Sequence, residues 1–380
     1  MKEPLLFKTI DEYDPKARFH MPSHNGKNIS PLYASAKYDI TELSFSDNLQ
    51  APCGVIADAE KKMARAVGAE RTLFFTAGAT SAIFTAILTA SYYVDDFCVM
   101  GTVHSSVINA LEVLKLNYYK EPKKQGKQAL ILTSPDYYGV VADIENLKKL
   151  YPEALLIVDE AHGAHFPYSS LLPQSAVKYA DMAVQSMHKT MPVYTGGALL
   201  NVKEEYYLKA VESRRKLHTS SPSYLIMASM DKARADFEEN GERYYLEIKE
   251  KISALRLPNG FSVVKNDDFS RLVIAVPDHT TGYAVANAAQ EKGIYFEMAD
   301  SKRLVAIVTP FNVDELGYLQ TLEAPTPKKI SLASLLGTTA KNDLILYPPG
   351  AVLIKKGEII DETTLKVLEK EKDRIIGLWT

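Results

Sequence analysis

The feature that most constrains the fold is a regular alternation, from about residue 55 onward, between short apolar runs and amphipathic stretches. The apolar runs have the length and composition of buried strands, and the amphipathic stretches between them predict helices. Such alternation is typical of an α/β domain built on a mostly parallel sheet. The predicted strands are Arg71–Thr76, Phe97–Gly101, Ala129–Thr133, Leu155–Asp159, Met182–Gln185 and Ala198–Val202.

The pattern divides the chain into three predicted segments. Residues 1–50 are rich in turn-forming residues and are predicted to form an arm on the surface. Residues 51–250 are predicted to form the large α/β domain, and residues 251–380 a smaller α+β domain. A short strand of that smaller domain is predicted at Tyr295–Glu297.

Composition excludes several classes of function. The net charge of −3, without a run of Lys and Arg, gives no reason to expect a nucleic-acid partner. The two cysteines, Cys53 and Cys98, lack the spacing of metal ligands and favour a reducing compartment. The start of the chain lacks the apolar core of a signal peptide, and the apolar stretch Leu73–Val94 is interrupted by small polar residues. We therefore expect a cytoplasmic protein without a metal or a membrane span.

Two predicted strands end in polar side chains, and functional groups in such sheets cluster at the carboxyl ends of strands. Asp159 ends the strand in LLIVDEAHGAH, where a partly buried carboxylate requires a cation or a donor. Lys189 follows the next strand, in MAVQSMHKT, beside Ser186 and His188. A lysine in such a setting can form a Schiff base. Taken alone, Asp159 also fits a turn aspartate, and Lys189 fits a solvated surface lysine.

A third strand end, in LFFTAGATSAIF, combines a small-residue turn with the start of a helix. Gly78 permits close approach of the backbone, and free N–H groups at a helix start bind anions. Thr80 and Ser81 add hydroxyl donors, although small polar residues also cap most helices. The segment is neither a Walker motif nor G-x-G-x-x-G, so a nucleotide is not the favoured ligand.

One ligand accounts for all three strand ends. Pyridoxal phosphate requires a lysine for its aldehyde, an acid beside its ring nitrogen and an anion site for its phosphate. Lys189, Asp159 and the turn at Gly78 meet these requirements. His104, after the apolar run FCVMG, could lie over the ring, although a lone histidine is more often structural.

In these and other segments the chain resembles the Orn/Lys/Arg decarboxylase family, whose members are pyridoxal-phosphate-dependent enzymes of fold type I. The run SSPSYLIMASMD is the most specific to this family, whereas DEAHG and S-x-H-K occur more widely in the fold type. The resemblance implies a mostly parallel seven-stranded sheet, in a short form without an N-terminal wing domain. The matching segments are DITEL at Asp39–Leu43, DEAHGAH at Asp159–His165, QSMHKT at Gln185–Thr190, TSSPSYLIMASMD at Thr219–Asp231 and LYPPG at Leu346–Gly350.

The resemblance implies a role for each residue around the cofactor ring. Lys189 forms the internal aldimine, Asp159 pairs with the pyridinium nitrogen, and His104 and Ala161 pack on opposite faces of the ring. Loss of CO2 leaves negative charge, which the ring absorbs while Asp159 keeps its nitrogen protonated. Lys189 or His188 then returns a proton to the α-carbon.

The remaining implied contacts are to the phosphate and to the substrate. The implied phosphate-binding residues are Gly78, Ala79, Thr80, Ser186, His188 and Ser220. Ser220 would reach the phosphate of the neighbouring subunit, which implies a homodimer with a shared active site. Family substrates carry a distal cation, for which Glu297 in YFEMAD is the candidate, although a surface carboxylate fits that sequence too.

Three residues depart from the family pattern. The family usually has a P-G-H-K run near its start, where this chain has Ser23 and Asn25 within Met21–Gly26. Ala79 occupies a position of the phosphate turn that is usually polar. These departures leave the cofactor assignment intact and weaken the substrate assignment.

The sequence therefore predicts decarboxylation of arginine, lysine or ornithine to the corresponding amine, as in polyamine biosynthesis, without indicating which substrate is preferred. One alternative is another reaction of the same fold, such as that of an aminotransferase using Arg271 or Arg303 for the α-carboxylate. A second alternative is a catalytically silent homologue that acts as a regulatory partner. The presence of Lys189, Asp159 and His104 argues against lost chemistry.

Overall fold

The computed structural model describes residues 3–18, 21–124, 126–326, 332–341, 343–346, 351–371 and 375–376. The chain forms two compact units, Met1–Leu246 and Glu247–Thr380. Residues 347–350, which belong to the segment LYPPG, lie outside the described residues.

A seven-stranded sheet forms the centre of the first unit in the described part of the chain. Its strands are β1 Arg71–Phe75, β2 Phe97–Val99, β3 Tyr118–Tyr119, β4 Ala129–Thr133, β5 Leu155–Asp159, β6 Met182–Gln185 and β7 Ala198–Val202. The strand order is β1-β7-β6-β5-β4-β2-β3, and only β7 runs antiparallel to its neighbours. The predicted mostly parallel α/β class and the six predicted strands are confirmed. Strand β3 was not predicted, because two residues give no periodic pattern.

Helices cover both faces of this sheet. They are α1 Leu5–Asp11, α2 Val55–Val67, α3 Gly78–Ala90, α4 Ser105–Val113, α5 Ile144–Leu150, α6 Glu204–Leu217 and α7 Tyr224–Ala254. Alternate residues of β5 face opposite sides: Leu155 and Ile157 pack with α3 and α4, and Leu156 and Val158 pack with α5. We call these the α3 face and the α5 face. Among the described helices, each is too short or too polar to cross a bilayer.

The described residues of the second unit form two smaller antiparallel sheets and the helices α8 and α9, together with the end of α7 and two 3-10 helices at Val313–Thr321 and Leu332–Leu335. The elements are β8 Ser262–Val264, β9 Arg271–Ala275, α8 Gly282–Glu291, β10 Met298–Ala299, β11 Arg303–Ile307, β12 Leu344–Leu346, β13 Ala351–Ile354, α9 Glu362–Glu371 and β14 Ile375–Ile376. The first sheet has the order β10-β11-β9-β8, and the second has the order β13-β12-β14.

The strand predicted at Tyr295–Glu297 is wrong. These residues precede β10, and strand pairing starts only where the Glu297 N–H donates to the Val305 carbonyl. The aromatic pair Tyr295 and Phe296 gives the segment high strand propensity. The turn that follows α8 at Gly293, with a φ of 79°, instead leaves Tyr295 75% exposed and outside the ladder.

A buried ion pair joins the N-terminal segment to the large sheet. Arg214 of α6 donates to the Glu60 carboxylate of α2 at 2.6 Å and to the Leu49 carbonyl at 2.8 Å. The same carboxylate accepts the N–H of Phe74 in β1 at 2.9 Å. Both charged side chains are almost fully buried, which is tolerated because each is paired and hydrogen-bonded.

Asp47 caps α2 from outside the helix. The residue before α2, Gly54, has no side chain with which to cap it. The Asp47 carboxylate accepts backbone N–H groups from Asn48, Cys53, Gly54, Ile56 and Ala57. Burial alone would raise the pKa of Asp47, but these hydrogen bonds together hold that pKa below its ordinary value. Its backbone φ of 67° is left-handed, a conformation that Asp and Asn tolerate.

We expect Asp47→Asn to lower the free energy of unfolding by about 1–2 kcal/mol near neutral pH, because the new amide group faces N–H donors. The depressed pKa means that the carboxylate stabilises the fold above about pH 4, the ordinary value, and loses this effect as the pH falls further. Urea unfolding of both proteins should therefore show a difference in the free energy of unfolding that narrows as the pH falls below about 4. A difference that is constant with pH would contradict this role of the carboxylate.

Candidate active site

Six strand ends of the first unit lie along one edge of the sheet. Strands β1 to β6 all run parallel, since β7 alone is reversed. Gly78 follows β1, His104 follows β2, Asp159 ends β5 and Lys189 follows β6. The structure thus brings these four predicted positions to the edge where α/β sheets bind ligands.

Lys189 ends a 3-10 helix, Met187–Lys189, that begins two residues after β6. Its Nζ lies 3.0 Å from Nε2 of His162. His162 is buried, and its ring centroid lies 4.9 Å from that of Tyr137. A protonated lysine amine can only donate in such a contact, and the Nε2 of a neutral imidazole can accept it.

Asp159 is buried, with 4% of its surface exposed. Burial raises the pKa of its carboxyl group above the ordinary value. The positive charge of Lys189, the N–H of Ala161 at 3.2 Å and His104 act in the opposite direction but do not cancel it. A carboxylate in this setting gains free energy from a nearby cation or N–H donor. Ala161, also buried, directly follows this strand end.

His104 directly precedes α4 and caps it. Its Nδ1 accepts the N–H of Ser106 at 3.2 Å, so the ring hydrogen lies on Nε2. Burial lowers the pKa of His104, Asp159 raises it and Lys189 lowers it. His104 is therefore neutral near pH 7, and it lies within electrostatic reach of both charged residues.

The turn after β1 is tied to the loop that follows Lys189. The Gly78 N–H donates to the Gly196 carbonyl at 2.8 Å. Gly196 has a φ of 105°, and a Cβ there would lie 2.7 Å from the Thr76 carbonyl oxygen, so only glycine permits this approach. His188 Nδ1 lies 3.3 Å from the hydroxyl of Ser186 and 3.3 Å from the Gly197 carbonyl.

Donors for an anion are available at this turn. Helix α3 begins at Gly78 without a side-chain cap, and the first N–H groups of a helix have no partner within it. Since the Gly78 N–H is engaged by Gly196, the N–H groups of Ala79 and Thr80 remain for a ligand. The hydroxyl of Ser186 lies directly after the end of β6, which β7 separates from β1.

Ser220 lies on an exposed segment that is anchored to the same turn. The preceding His218 is buried, and its Nε2 accepts the N–H of Thr76 at 3.0 Å. Gln50 donates to the Thr219 carbonyl at 2.8 Å. Burial lowers the pKa of His218, so its imidazole is neutral and can accept this bond.

Glu297 belongs to the second unit, and its role stays a prediction. It is exposed and lines an open cleft of about 800 Å³ in that unit. Tyr295, Phe296, Tyr318 and Glu315 line the same cleft. Carboxylates and aromatic faces both attract organic cations.

Sequence reasoning did not assign His162 or Tyr137. His162 lies in DEAHGAH, three residues after Asp159, so its place in the loop after β5 was a signal that could have been used. Tyr137 lies in the loop after β4 and has no sequence signal that separates it from other aromatic residues. Its contact with His162 depends on the parallel pairing of β4 with β5.

Two of the departures from the family pattern are accommodated by local structure. Asn25 has a left-handed φ of 52°, and its amide donates to the Arg18 carbonyl at 3.1 Å. Ser23 is exposed, and the neighbouring His24 lies 3.2 Å from Asp39 of the segment DITEL. Asn25 therefore shapes a turn in this chain.

Comparison with known proteins places the chain among related sequences. The model of the Orn/Lys/Arg decarboxylase major domain matches residues 95–303. The uncharacterized protein YaaO of Bacillus subtilis (strain 168) is 28% identical, over 93% of this chain and 90% of that protein. The arginine decarboxylase of Bacillus anthracis is 26% identical, over 97% and 93% respectively. The structure of lysine decarboxylase A from Pseudomonas aeruginosa matches with a TM-score of 0.74 at 16% identity, over 97% of this chain and 76% of that one.

The sheet, its strand order and the match to lysine decarboxylase A define the architecture of fold type I. The family match covers more than half of the chain, so the protein belongs to the Orn/Lys/Arg decarboxylase family and is an amino acid decarboxylase of the pyridoxal-phosphate-dependent class.

We expect the pKa of His104 to lie below about 6.5, its ordinary value, and to respond to both charged neighbours. Asp159→Asn should lower this pKa further, and Lys189→Met should raise it, because the first removes a negative charge and the second a positive charge near the imidazole. Histidine NMR titrations of the cofactor-free protein measure both shifts. Lys178→Met, at an exposed lysine, is the control and should leave the midpoint unchanged. Unchanged midpoints in both test variants would contradict the proximity of these groups.

Proposed function

We propose that the protein catalyses the pyridoxal-phosphate-dependent decarboxylation of arginine, lysine or ornithine, with Lys189 as the residue that binds the cofactor covalently. The observation that carries this proposal is the position of the Lys189 Nζ, 3.0 Å from His162 and within electrostatic reach of the buried Asp159. Membership of the Orn/Lys/Arg decarboxylase family supports the reaction type.

The residues at the sheet edge fit this cofactor. The buried Asp159, with its raised pKa, gains from a cationic N–H donor such as a protonated pyridine nitrogen. The first turn of α3 offers N–H groups to a phosphate. When bound, pyridoxal phosphate supplies an electron sink for the charge left on the α-carbon after CO2 departs.

Each residue of the edge has a distinct task in this proposal. His162 accepts from the Lys189 Nζ and so orients the amine. Neutral His104 and the small, buried Ala161 offer apolar contact to the two faces of a planar ring. Lys189 or His188 returns a proton to the α-carbon of the product.

The proposed phosphate site would be shared between two copies of the chain, so the proposal includes a homodimer. The groups that would hold the phosphate are the Ala79 and Thr80 N–H groups at the turn following Gly78, the Ser186 hydroxyl and the His188 imidazole. Ser220 is exposed beside this turn, and we propose that it binds the phosphate held by a second copy of the chain. Each active site would then be complete only in the dimer.

Glu297 is the proposed contact for the distal cation of the substrate. Its cleft provides carboxylate and aromatic groups that suit an ammonium or a guanidinium. Of the arginines considered for an aminotransferase, Arg271 is 1% exposed, and Arg303 donates to Asp300 at 2.9 Å. We therefore favour decarboxylation, in the cytoplasm, as a source of amines for polyamine biosynthesis.

The first test is CO2 release by the purified protein loaded with pyridoxal phosphate and offered arginine, lysine and ornithine in parallel. We expect release from at least one of them, and complete loss in Lys189→Ala because no other amine replaces the Nζ. Lys178→Ala, at an exposed lysine, is the matched control and should retain full activity. If the protein binds the cofactor but releases no CO2 from any of the three substrates, the proposed reaction is contradicted.

We expect Asp159→Asn to bind pyridoxal phosphate and to reduce kcat about a thousandfold, because an oriented buried charge at the reacting system supplies several kcal/mol. Single-turnover CO2 release measures this step separately from substrate binding. A kcat within about threefold of the wild type would remove Asp159 from the proposed role.

A further inference from the structure

Glu160 is a buried carboxylate that the proposed reaction does not use. It directly follows Asp159, and only 1% of its surface is exposed. Successive residues of a strand face opposite sides, so Asp159 shares the α3 face with Ile157, and Glu160 shares the α5 face with Val158. Glu160 therefore lies on the opposite face of the sheet from Asp159.

The surroundings of Glu160 require a carboxylate. It accepts the Ser175 hydroxyl at 2.7 Å, the Ala176 N–H at 2.7 Å and the Gln185 amide Nε2 at 2.8 Å. These donors address both oxygens, and among the described residues no lysine, arginine or histidine forms an ion pair with it. Burial raises the pKa of Glu160 to about 7 against the effect of these donors. Burying an acid without a nearby cation costs free energy. Such an acid is found where its hydrogen bonds hold the structure or a functional site in place.

The bond from Gln185 to Glu160 continues a strand pair beyond its backbone ladder. The parallel pairing of β5 with β6 ends where Asp159 lies opposite Val184. Glu160 and Gln185 are the next residues along the two strands, and their side chains make the connection that the backbone no longer makes. Each chain then continues into site residues: His162 follows Glu160 by two positions, and Lys189 follows Gln185 by four.

A wider polar network fixes the orientation of the Gln185 amide. Its Oε1 accepts from Asn201 of β7 at 3.0 Å, and Oδ1 of Asn201 accepts from Thr72 of β1 at 2.6 Å. With Oε1 occupied by Asn201, Nε2 must point toward Glu160. Side-chain hydrogen bonds thus connect four strands on the α5 face of the sheet.

The turn after β5 is shaped around this carboxylate. A Cβ at Gly163 would lie 2.7 Å from the Cγ of Glu160 and 2.9 Å from the ring of Phe166. Glycine lets the turn pack directly on the Glu160 side chain. The loop that carries His162 therefore packs on the same side chain that binds the end of β6.

We propose that Glu160 is a positioning residue: through its bond to Gln185 it holds the ends of β5 and β6 at the separation that places the Lys189 Nζ against His162 and near Asp159. This role rests on the proposed cofactor site. Residues that do not touch the ligand can still hold the reacting groups in position. Misplacement of a reacting group by about 1 Å can reduce turnover about a hundredfold.

Glu160→Gln tests the proposal with almost no change in side-chain volume. The new amide cannot satisfy all three donors in either orientation, so one donor faces an NH2 group. We expect pyridoxal phosphate binding to weaken about tenfold or more and kcat to fall about a hundredfold, with little change in KM. The pH midpoint of the visible absorption of the bound cofactor should fall, because its cationic form lies farther from Asp159.

The double variant E160Q/Q185E should restore the hydrogen bond between positions 160 and 185 that E160Q weakens. The new amide at position 160 can accept from Ala176 and donate to the new carboxylate at position 185, which still accepts from Asn201. The Ser175 hydroxyl can turn to accept from the new amide. We expect the double variant to regain cofactor affinity, the absorption midpoint and the melting temperature, although E160Q alone loses them.

Thr72→Val is the matched control. Thr72 is buried in the same network, at the end farthest from Glu160, and its loss should lower the melting temperature without changing cofactor affinity or the absorption midpoint. If E160Q behaves like this control, Glu160 is structural and the proposal is overturned. A double variant that regains the melting temperature but not the cofactor affinity overturns it too. Wild-type protein that does not bind pyridoxal phosphate overturns the proposed function itself.

Discussion

The buried charge of Asp159 is the constraint on which the site depends. Strand β5 is apolar on both faces, so a carboxylate at its end is shielded from water and its pKa rises. Such a group persists where a cation or donors lie nearby, and Lys189 on the adjacent strand end is that cation. His104 is held neutral between the two by burial. This combination of a buried acid and an amine suits the proposed ligand, which carries a protonated nitrogen and an aldehyde.

Because successive residues of a strand face opposite sides of the sheet, the residues that can contact a ligand and those that hold the strand ends together lie on different faces. Asp159 and Glu160 are adjacent in sequence, yet they face opposite sides of the sheet. Residues on the α3 face and in the loops beyond the strand ends are available to a ligand. Hydrogen bonds on the α5 face connect Glu160, Gln185 and Asn201 and keep the strand ends together. The two neighbouring acids therefore differ in their surroundings: Asp159 lies near the charge of Lys189, whereas Glu160 accepts hydrogen bonds from neutral donors.

The turn after β1 is where several distant segments of the first unit converge. Gly196 approaches it from the loop after Lys189, and His218 binds it from the segment that carries Ser220. Gln50 of the N-terminal segment holds the same stretch through the Thr219 carbonyl. Changes at the proposed phosphate site, at the proposed dimer contact and in the N-terminal segment are therefore expected to affect one another.

The sequence alone determined the class of the sheet and the strand ends that carry Asp159 and Lys189, because buried parallel strands are continuous apolar runs and polar residues at their ends are conspicuous. Local pattern could not determine contacts between segments far apart in the chain. The approach of Tyr137 to His162 and the hydrogen bond between Glu160 and Gln185 depend on strand pairing, and the hydrogen bond from Thr76 to His218 depends on the packing of the end of α6 near β1. The strand predicted at Tyr295–Glu297 failed for the same reason: propensity is local, whereas a strand exists only where a partner is in register. Tertiary structure decided which polar residues meet, since hydrogen bonds and ion pairs act only over a few ångströms.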